Sequence, residues 1–315
     1  MAITLTQLRA FLAVVRTGSV RAAADELIVT QPSVSAALSA LSREVGTDLT
    51  ERDGRGIRPS PAGDAFAPFA THVVGLLDDG VRAAAEAAAS EARELRIAAV
   101  TTAAERLLAP LLPGFAALAP NVRIAVEVGN RDDVFRLLAE HDADVAIAGR
   151  PPAGAALRSE PILENTVVVI APQDDPLAAR ETVEPSDLAE RTWLLREHGS
   201  GTRAFNTLTL SRWELRPRSL TLGSNGAIVE AVRAGLGVSI VSRIAVALEL
   251  EAGLLATLPV PGLPQRQWYV HRPGVGPEHE AAAAFVDHAR SPAARRALLA
   301  ARRSLPDGTP SETPA

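Results

Sequence analysis

Up to about residue 93, apolar side chains recur at helical spacing; beyond it they gather into short continuous runs. Leu5, Leu8, Phe11, Leu12 and Val15 share one stripe and predict a helix over residues 5–16. Ser19 is placed to cap a second helix over 20–28, with Val20, Ala23, Ala24 and Leu27 turned inward. Thr30 caps a third that carries Pro32 in its first turn, where a missing N–H costs little. Val34, Leu38, Leu41 and Val45 form its inner face, and Gly46 stops it. Residues 48–60 read as two short strands around Asp53-Gly54-Arg55-Gly56, a hairpin. A long helix follows from Pro61 to about Arg93, with Phe66, Phe69, Val73, Leu76 and the alanines 83, 84 and 87 in a narrow stripe. That stripe has little to cover it within the chain, so a partner helix is expected.

After Arg93 the pattern alternates strand and helix. The apolar runs 95–100, 122–128, 144–149 and 166–172 predict buried, mostly parallel strands, with helices over 103–118 and 131–140. A second set comprises strands at 192–196, 218–222 and 237–241, with helices over 201–213 and 226–235. Residues 267–272 form one more strand, and 277–303 a helix. Two α/β lobes result, with the chain crossing between them near Val168–Ala171 and Trp268–His271, and a cleft between. The expected division is a winged helix-turn-helix at 1–60, a linker and dimerisation helix at 61–92, a two-lobed α/β domain at 93–303 and a disordered tail at 304–315. Lobe I takes 93–170 plus 272–303, and lobe II takes 171–271.

The chain is 47% apolar but only 3% aromatic, so its cores must be built from small aliphatic side chains. The lack of cysteine excludes disulfides, thiolate metal sites and cysteine nucleophiles. No stretch approaches the ~20 apolar residues of a membrane span, and the amphipathic start is unlike an export signal, so a cytoplasmic protein without membrane contact is expected. A net charge of −5 argues weakly against a nucleic-acid partner. Residues 1–60, however, hold seven arginines (9, 16, 21, 43, 52, 55, 58) against six acids (25, 26, 44, 48, 51, 53), a local +1. Every basic side chain is arginine, which reflects base composition of the genome.

With Val34, Leu38 and Leu41 inward, the third helix leaves Gln31, Pro32, Ser33, Ser35, Ala36 and Ser39 outward. A solvated helix face ordinarily carries charge; this one is short, polar and uncharged, as close approach to base edges requires. Arg52, Arg55 and Arg58 on the hairpin suit phosphates or the minor groove. On spacing alone, a plain three-helix bundle with a serine-rich surface stays open.

The order of Leu8-Arg9-Ala10-Phe11, Ser19-Val20-Arg21-Ala22-Ala23-Ala24, Thr30-Gln31-Pro32-Ser33-Val34-Ser35, Glu51-Arg52-Asp53-Gly54-Arg55-Gly56 and Pro59-Ser60-Pro61-Ala62-Gly63 resembles the LysR-type transcriptional regulators. The resemblance extends along nearly the whole chain. It implies a fold of α/β class, in which an all-α winged helix-turn-helix domain precedes a two-lobed, periplasmic-binding-protein-like sensor. It also implies promoter DNA as partner, a small-molecule effector, and a homodimer or homotetramer. By the same resemblance Gln31, Pro32, Ser33 and Ser35 read bases or nearby phosphates, while Arg52, Arg55 and Ser60 hold the backbone or minor groove. Thr50 and Ser42 depart from the family pattern, which commonly has an aromatic and an acid there.

In the sensor, Thr101 and Thr102 follow the first strand at a helix start, and Ser200-Gly201-Thr202 does the same in lobe II. Helix N-termini attract anions through free N–H groups, though such segments can simply cap helices. In the resembled family these loops line the effector pocket. Ile147 and Gly149, Asn225 and Gly226 are further candidates, with Ser242 a lesser one. The Arg196–Arg203 run is similar to regulators of carbon-fixation and sulfite-reduction operons, which hints at a phosphorylated or sulfur-containing ligand. His141 and His198 lack the spaced partners of a metal site and read as loop or surface residues; no cofactor is expected. Trp193, Trp213 and Trp268 sit in apolar runs. An enzyme is the rival reading, but G-x-S-x-G, phosphate-loop and G-x-G-x-x-G patterns are all missing. An exported solute-binding protein would leave residues 1–90 without a purpose.

Overall fold

The computed structural model describes residues 2–54, 56–88, 93–277 and 279–301. It forms two compact units, one made of the N-terminal residues together with Leu137–Ala143, the other of the remainder. The expected tail at 304–315 lies outside the described residues.

In the first unit, α1 (Leu5–Thr17), α2 (Val20–Leu27) and α3 (Gln31–Val45) are followed by β1 (Thr50–Asp53), β2 (Gly56–Pro59) and α4 (Pro61–Ala88). Local chemistry fixes each boundary. Thr4 and Gln7 make a reciprocal capping box, Ser19 Oγ accepts the Ala22 N–H, and Thr30 Oγ1 accepts the Ser33 N–H. Gly18 and Gly46 end α1 and α3 in the left-handed conformation. Phe11, Val14, Ala23, Val34, Leu41 and Leu49 fill the core. β1 and β2 pair antiparallel from Thr50↔Pro59 to Asp53↔Gly56. A Cβ at Gly63 would lie 1.9 Å from the Leu49 carbonyl oxygen, so α4 can approach the hairpin base only with glycine there. The long helix, expected to about Arg93, is described to Ala88, and Arg93 already belongs to a strand.

The second unit begins with β3 (Arg93–Val100), α5 (Thr101–Ala103), a π-helical turn (Ala104–Leu108), α6 (Ala109–Leu118), β4 (Val122–Gly129), α7 (Arg131–Ala139), β5 (Val145–Ala148) and β6 (Leu157–Asn165). It continues with β7 (Val167–Pro172), β8 (Trp193–Arg196), α8 (Gly201–Arg212), β9 (Ser219–Leu222), α9 (Asn225–Arg233), β10 (Ser239–Ser242), α10 (Ala247–Glu251) and β11 (Leu255–Leu258). β12 (Arg266–Pro273), α11 (Glu280–Arg290) and α12 (Pro292–Ala301) complete it.

Lobe I is a five-stranded sheet in the order β4-β3-β5-β12-β6; lobe II holds β10-β7-β11 and the pair β8-β9. The crossings fall earlier than expected, at Thr166 and between Leu258 and Arg266. β7 therefore lies with the strands of lobe II, and β12 is inserted between β5 and β6. Both run antiparallel to their neighbours, so the sheets are mixed where mostly parallel strands were expected. β4 was expected to be buried but forms a sheet edge, leaving Val126 and Val128 exposed. β6, whose Leu-Arg-Ser-Glu-Pro-Ile-Leu-Glu-Asn has no apolar run, was not foreseen. The helix expected over 277–303 is divided at Ser291-Pro292, where the proline ring has no N–H for the turn before.

His271 on β12 is fully buried against Phe135 and Tyr269. Burial, aided by the charge of Arg131, lowers its pKa to about 4 against two backbone hydrogen bonds that raise it. The neutral ring carries one proton: Nε2–H donates to the Gly149 carbonyl at 3.0 Å, and Nδ1 accepts the Ser159 hydroxyl at 2.8 Å. His271 thus pins the end of β5 to the sheet.

Candidate functional site

The outer face of α3 is as the sequence suggests: Gln31, Pro32, Ser33, Ser35 and Ser39 are exposed, while Val34, Leu38 and Leu41 are buried. The hydroxyls of Thr30 and Ser33 lie 2.8 Å apart, so the cap itself steadies one groove-facing residue. Arg52 and Arg58 are exposed on the hairpin, Arg58 paired with Glu51 at 2.6 Å. Arg55 lies outside the described residues. Ser60 is a correction. It is buried at the start of α4, where its hydroxyl donates to the Asp48 carbonyl at 2.7 Å and accepts the Gly63 N–H at 3.1 Å. That hydroxyl is used in joining hairpin to helix and does not face a groove. Ser42, one of the two family departures, accepts the Leu49 N–H on its Oγ.

Within the second unit the lobes enclose a cavity of about 580 Å³, a size suited to a metabolite. Thr101, Thr102, Gly149, Ser200, Gly201, Thr202 and Asn225 line it, as does Ser242. Ile147 does not: it sits one step back along β5 with its side chain fully buried in the lobe I core. Gly226 is also off the wall, one residue behind Asn225 at the start of α9.

Strand ends and helix starts converge on this space. Ser200 Oγ accepts the N–H groups of Thr202 and Arg203, capping α8. Across from it, Asn130 Oδ1 accepts the Asp132 and Asp133 N–H groups at the start of α7. The two loops meet where the Asp132 N–H donates to the Gly199 carbonyl at 3.2 Å. Asn225 Nδ2 donates to Thr102 Oγ1, while Asn225 Oδ1 accepts from Arg196 Nη1.

The charge of the wall was not anticipated. Arg131, Arg150, Arg196, Arg212 and Arg266 line the cavity, and among the described lining residues there is no aspartate or glutamate. Arg196 is compensated by Glu197 just outside, at 2.7 Å. Arg131 meets the exposed Asp132 at 3.3 Å and donates to the Arg150 carbonyl. Arg266 has no carboxylate or hydrogen-bond partner among the described residues; its guanidinium lies over the Phe205 ring at 4.8 Å. Burial, reinforced by the positive charge of Arg131, lowers its pKa to about 10, leaving it cationic at neutral pH. Asn165 Oδ1 accepts the Ser242 hydroxyl at 2.6 Å, but its Nδ2 and the Trp268 Nε1 are buried without an acceptor among the described residues. The wall has a surplus of positive charge and of donors.

These residues escaped the sequence reading because their importance is non-local. Asn165 and Arg266 are direct cross-strand partners on β6 and β12, though far apart in the chain. Only Arg196 belonged to a run already singled out. Of the histidines, His198 is exposed as expected. His141 lies in the turn after α7, a loop position as expected, but is buried there, with Nδ1 2.6 Å from Asp79 Oδ2 in the same unit. Among the described residues no group of three or more potential metal ligands occurs.

A helix-turn-helix with a hairpin wing and a two-lobed α/β module around a small cavity define a ligand-responsive DNA-binding regulator. Residues 5–64 match the bacterial regulatory helix-turn-helix family of LysR type, and residues 88–294 match the LysR substrate-binding domain. The chain belongs to the LysR family of transcriptional regulators. It is 35% identical over 269 residues to the transcriptional activator CmpR of Synechocystis, covering 85% of this chain and 88% of that protein. It is 35% identical over 301 residues to the RuBisCO operon transcriptional regulator of Allochromatium vinosum, covering 94% and 98%. Its structure is similar to the regulatory domain of Synechocystis CcmR in complex with 2-PG, with a TM-score of 0.59 and 30% identity over 62% of this chain and 95% of that one. The relatives are named as regulators, and this chain is a regulator, not an enzyme. Among the described residues no helix is long and apolar enough to cross a membrane.

Proposed function

We propose that this regulator is controlled by a small anionic metabolite, most simply a phosphorylated one, bound in the cavity between its two lobes. The observation that carries this reading is the wall of five arginines with no lining carboxylate among the described residues. A buried cation without a counter-ion is costly, and a ligand anion supplies one. The relative whose regulatory domain holds 2-PG supports the same class of ligand. Thr101, Thr102, Gly149, Ser200, Gly201, Thr202 and Asn225 complete the binding surface, contributing hydroxyls and the N–H groups at the start of α8.

At the other end, Gln31, Pro32, Ser33, Ser35 and Ser39 read base edges, with Arg52 and Arg58 on phosphates. The domain division is a DNA-binding domain to residue 60, a linker segment over 61–92 that includes α4, and the sensor beyond. The protein works in the cytoplasm as a homodimer or homotetramer. Phe69, Val73, Leu77 and Val81, all exposed at four-residue intervals along α4, are the seam for the partner.

The test is direct. 2-Phosphoglycolate, inorganic phosphate and sulfate are screened by thermal shift, and each is then added to a promoter-binding titration. Stabilisation together with altered affinity or footprint on its own upstream promoter is the expected result. If none of these anions stabilises the protein beyond the effect of chloride at equal ionic strength, the reading fails. Separately, Gln31→Ala should cost specific promoter binding about 1–3 kcal/mol and leave random-duplex binding nearly unchanged; equal loss on both sinks the base-reading role.

A further inference from the structure

We propose that Arg266 is the residue that reads the effector's charge, and that the protein withholds its counter-ion so that only a multiply charged oxyanion can supply it. This rests on the cavity being the effector site, and it goes further by naming the residue and the cost it imposes.

The geometry is specific. Arg266 opens β12, the strand that re-enters lobe I from lobe II, and sits directly opposite Asn165, the last residue before the chain leaves lobe I. It therefore stands beside both crossings. Its guanidinium reaches two further parts of the wall. It lies over Phe205 of α8, in lobe II. A Cβ on Gly149, at the end of β5, would come within 3.2 Å of its Nη2. Arg131 lies close enough for its charge to be felt at Arg266, and a Cβ on Gly201 would fall 3.2 Å from the Arg131 side chain. Two small residues thus keep the space around two cations open.

Folding gives no reason for this arrangement. An arginine held for structure is ordinarily paired, as Arg96 is with Asp144 at 2.8 Å and Arg191 with Asp175 at 3.0 Å in the same unit. Arg266 has instead an aromatic face and a like charge, with no carboxylate partner among the described residues. Arg131 has only the exposed Asp132, at 3.3 Å, as its carboxylate among the described residues. A phosphomonoester or sulfate, each near −2 at neutral pH, therefore answers Arg266 and adds to what Asp132 gives Arg131, whereas a single carboxylate answers Arg266 alone. Bound there, the anion touches the lobe I end of β12 and, through Arg131 and Gly201, the start of α8. Charge recognition and the setting of the lobes become one event.

The experiment uses full-length protein and two variants, Arg266→Met, which keeps the stem and removes the charge, and Arg266→Lys, which keeps the charge and loses the planar fork. Melting temperature is measured without ligand, and with 2-phosphoglycolate, sulfate, glycolate or chloride at equal ionic strength. Tryptophan fluorescence is recorded in a Trp193→Phe, Trp213→Phe background, where Trp268 on the cavity wall is the one emitter left. Wild type should be stabilised by 2-phosphoglycolate and sulfate well above glycolate. Arg266→Met should melt at or above the wild-type temperature without ligand, because an uncompensated charge has been removed. It should also lose at least tenfold in affinity for the dianions and any preference for them over glycolate. Arg266→Lys should keep the dianion preference with weaker binding. The inference is overturned if Arg266→Met binds 2-phosphoglycolate and sulfate like wild type, or if its ligand-free form melts several degrees lower, as loss of a structural arginine would cause. Those results leave the cavity reading standing. A wild type indifferent to every anion overturns both.

Discussion

Asn225 donates from Nδ2 to Thr102 Oγ1 at 2.9 Å, joining a helix start in lobe II to a helix start in lobe I. The same carboxamide accepts from Arg196 through Oδ1 at 2.6 Å, so a buried arginine, an amide and a hydroxyl form one chain across the cavity wall. Thr102 is itself buried and lines the cavity, and its Oγ1 accepts from Asn225, which uses no hydroxyl hydrogen. We expect Thr102→Val to weaken 2-phosphoglycolate binding by about 1–2 kcal/mol, since it removes both a ligand donor and the acceptor for Asn225. Thr102→Ser should recover most of it. Calorimetric titration decides; equal affinities for the valine and serine variants remove the hydroxyl from the mechanism.

The stripe on α4 makes a claim about assembly. Phe69 is 70% exposed and Val81 65% exposed on a helix otherwise rich in alanine. A Phe69→Glu, Leu77→Glu double variant should shift the protein toward monomer in sedimentation velocity. It should also reduce promoter affinity, since paired half-sites need a dimer. An unchanged sedimentation coefficient would place the interface elsewhere.

Acid should weaken the second unit through His271. Its folded pKa, about 4, lies below the ordinary 6.5, so the neutral ring stabilises the fold. That contribution is whole above pH 6.5 and drains away as pH falls from 6.5 toward 4, because the unfolded chain takes up the proton first. The loss is on the order of 3 kcal/mol for this one group. Denaturant melts across that window should show the slope, and His271→Asn should flatten it while starting from a lower stability.

Gly63→Ala is expected to destabilise the N-terminal unit by roughly 2–3 kcal/mol or more, through forced separation of α4 from the hairpin. The obstacle is backbone, the Leu49 carbonyl, and cannot rotate away. Gly237→Ala should act likewise in lobe II, where the Thr192 carbonyl oxygen would lie 2.1 Å from the new carbon. Circular dichroism melts of the two variants check both; wild-type midpoints would contradict this close packing.

What could be read from the chain alone follows from how local each signal is. Thr30, Pro32 and Gly46 mark α3 within its own residues, and the uncharged face between them needs no tertiary knowledge. Thr101, Thr102 and Ser200-Gly201-Thr202 stand out because helix starts advertise themselves. Arg266 does not, since in Gln-Arg-Gln-Trp it is one more polar residue at a strand end. Its meaning comes from Asn165 across the ladder and Phe205 from the other lobe. Ile147 shows the converse error: near the right strand end, but two residues from Gly149 and turned into the core. Ser60 was placed on DNA by motif position, while its hydroxyl is spent on Asp48 and Gly63.

β12 lies between β5 and β6, so the strand that joins β6 to the rest of the lobe I sheet is the last described strand to leave the ribosome. Until then β6 has no neighbour on that side and Asn165 no opposite number. A chain ending before residue 266 lacks the strand that joins β6 to β5 and the Arg266–Tyr269 part of the cavity wall. Premature stops late in the gene should therefore produce effector-blind proteins, not merely shorter ones.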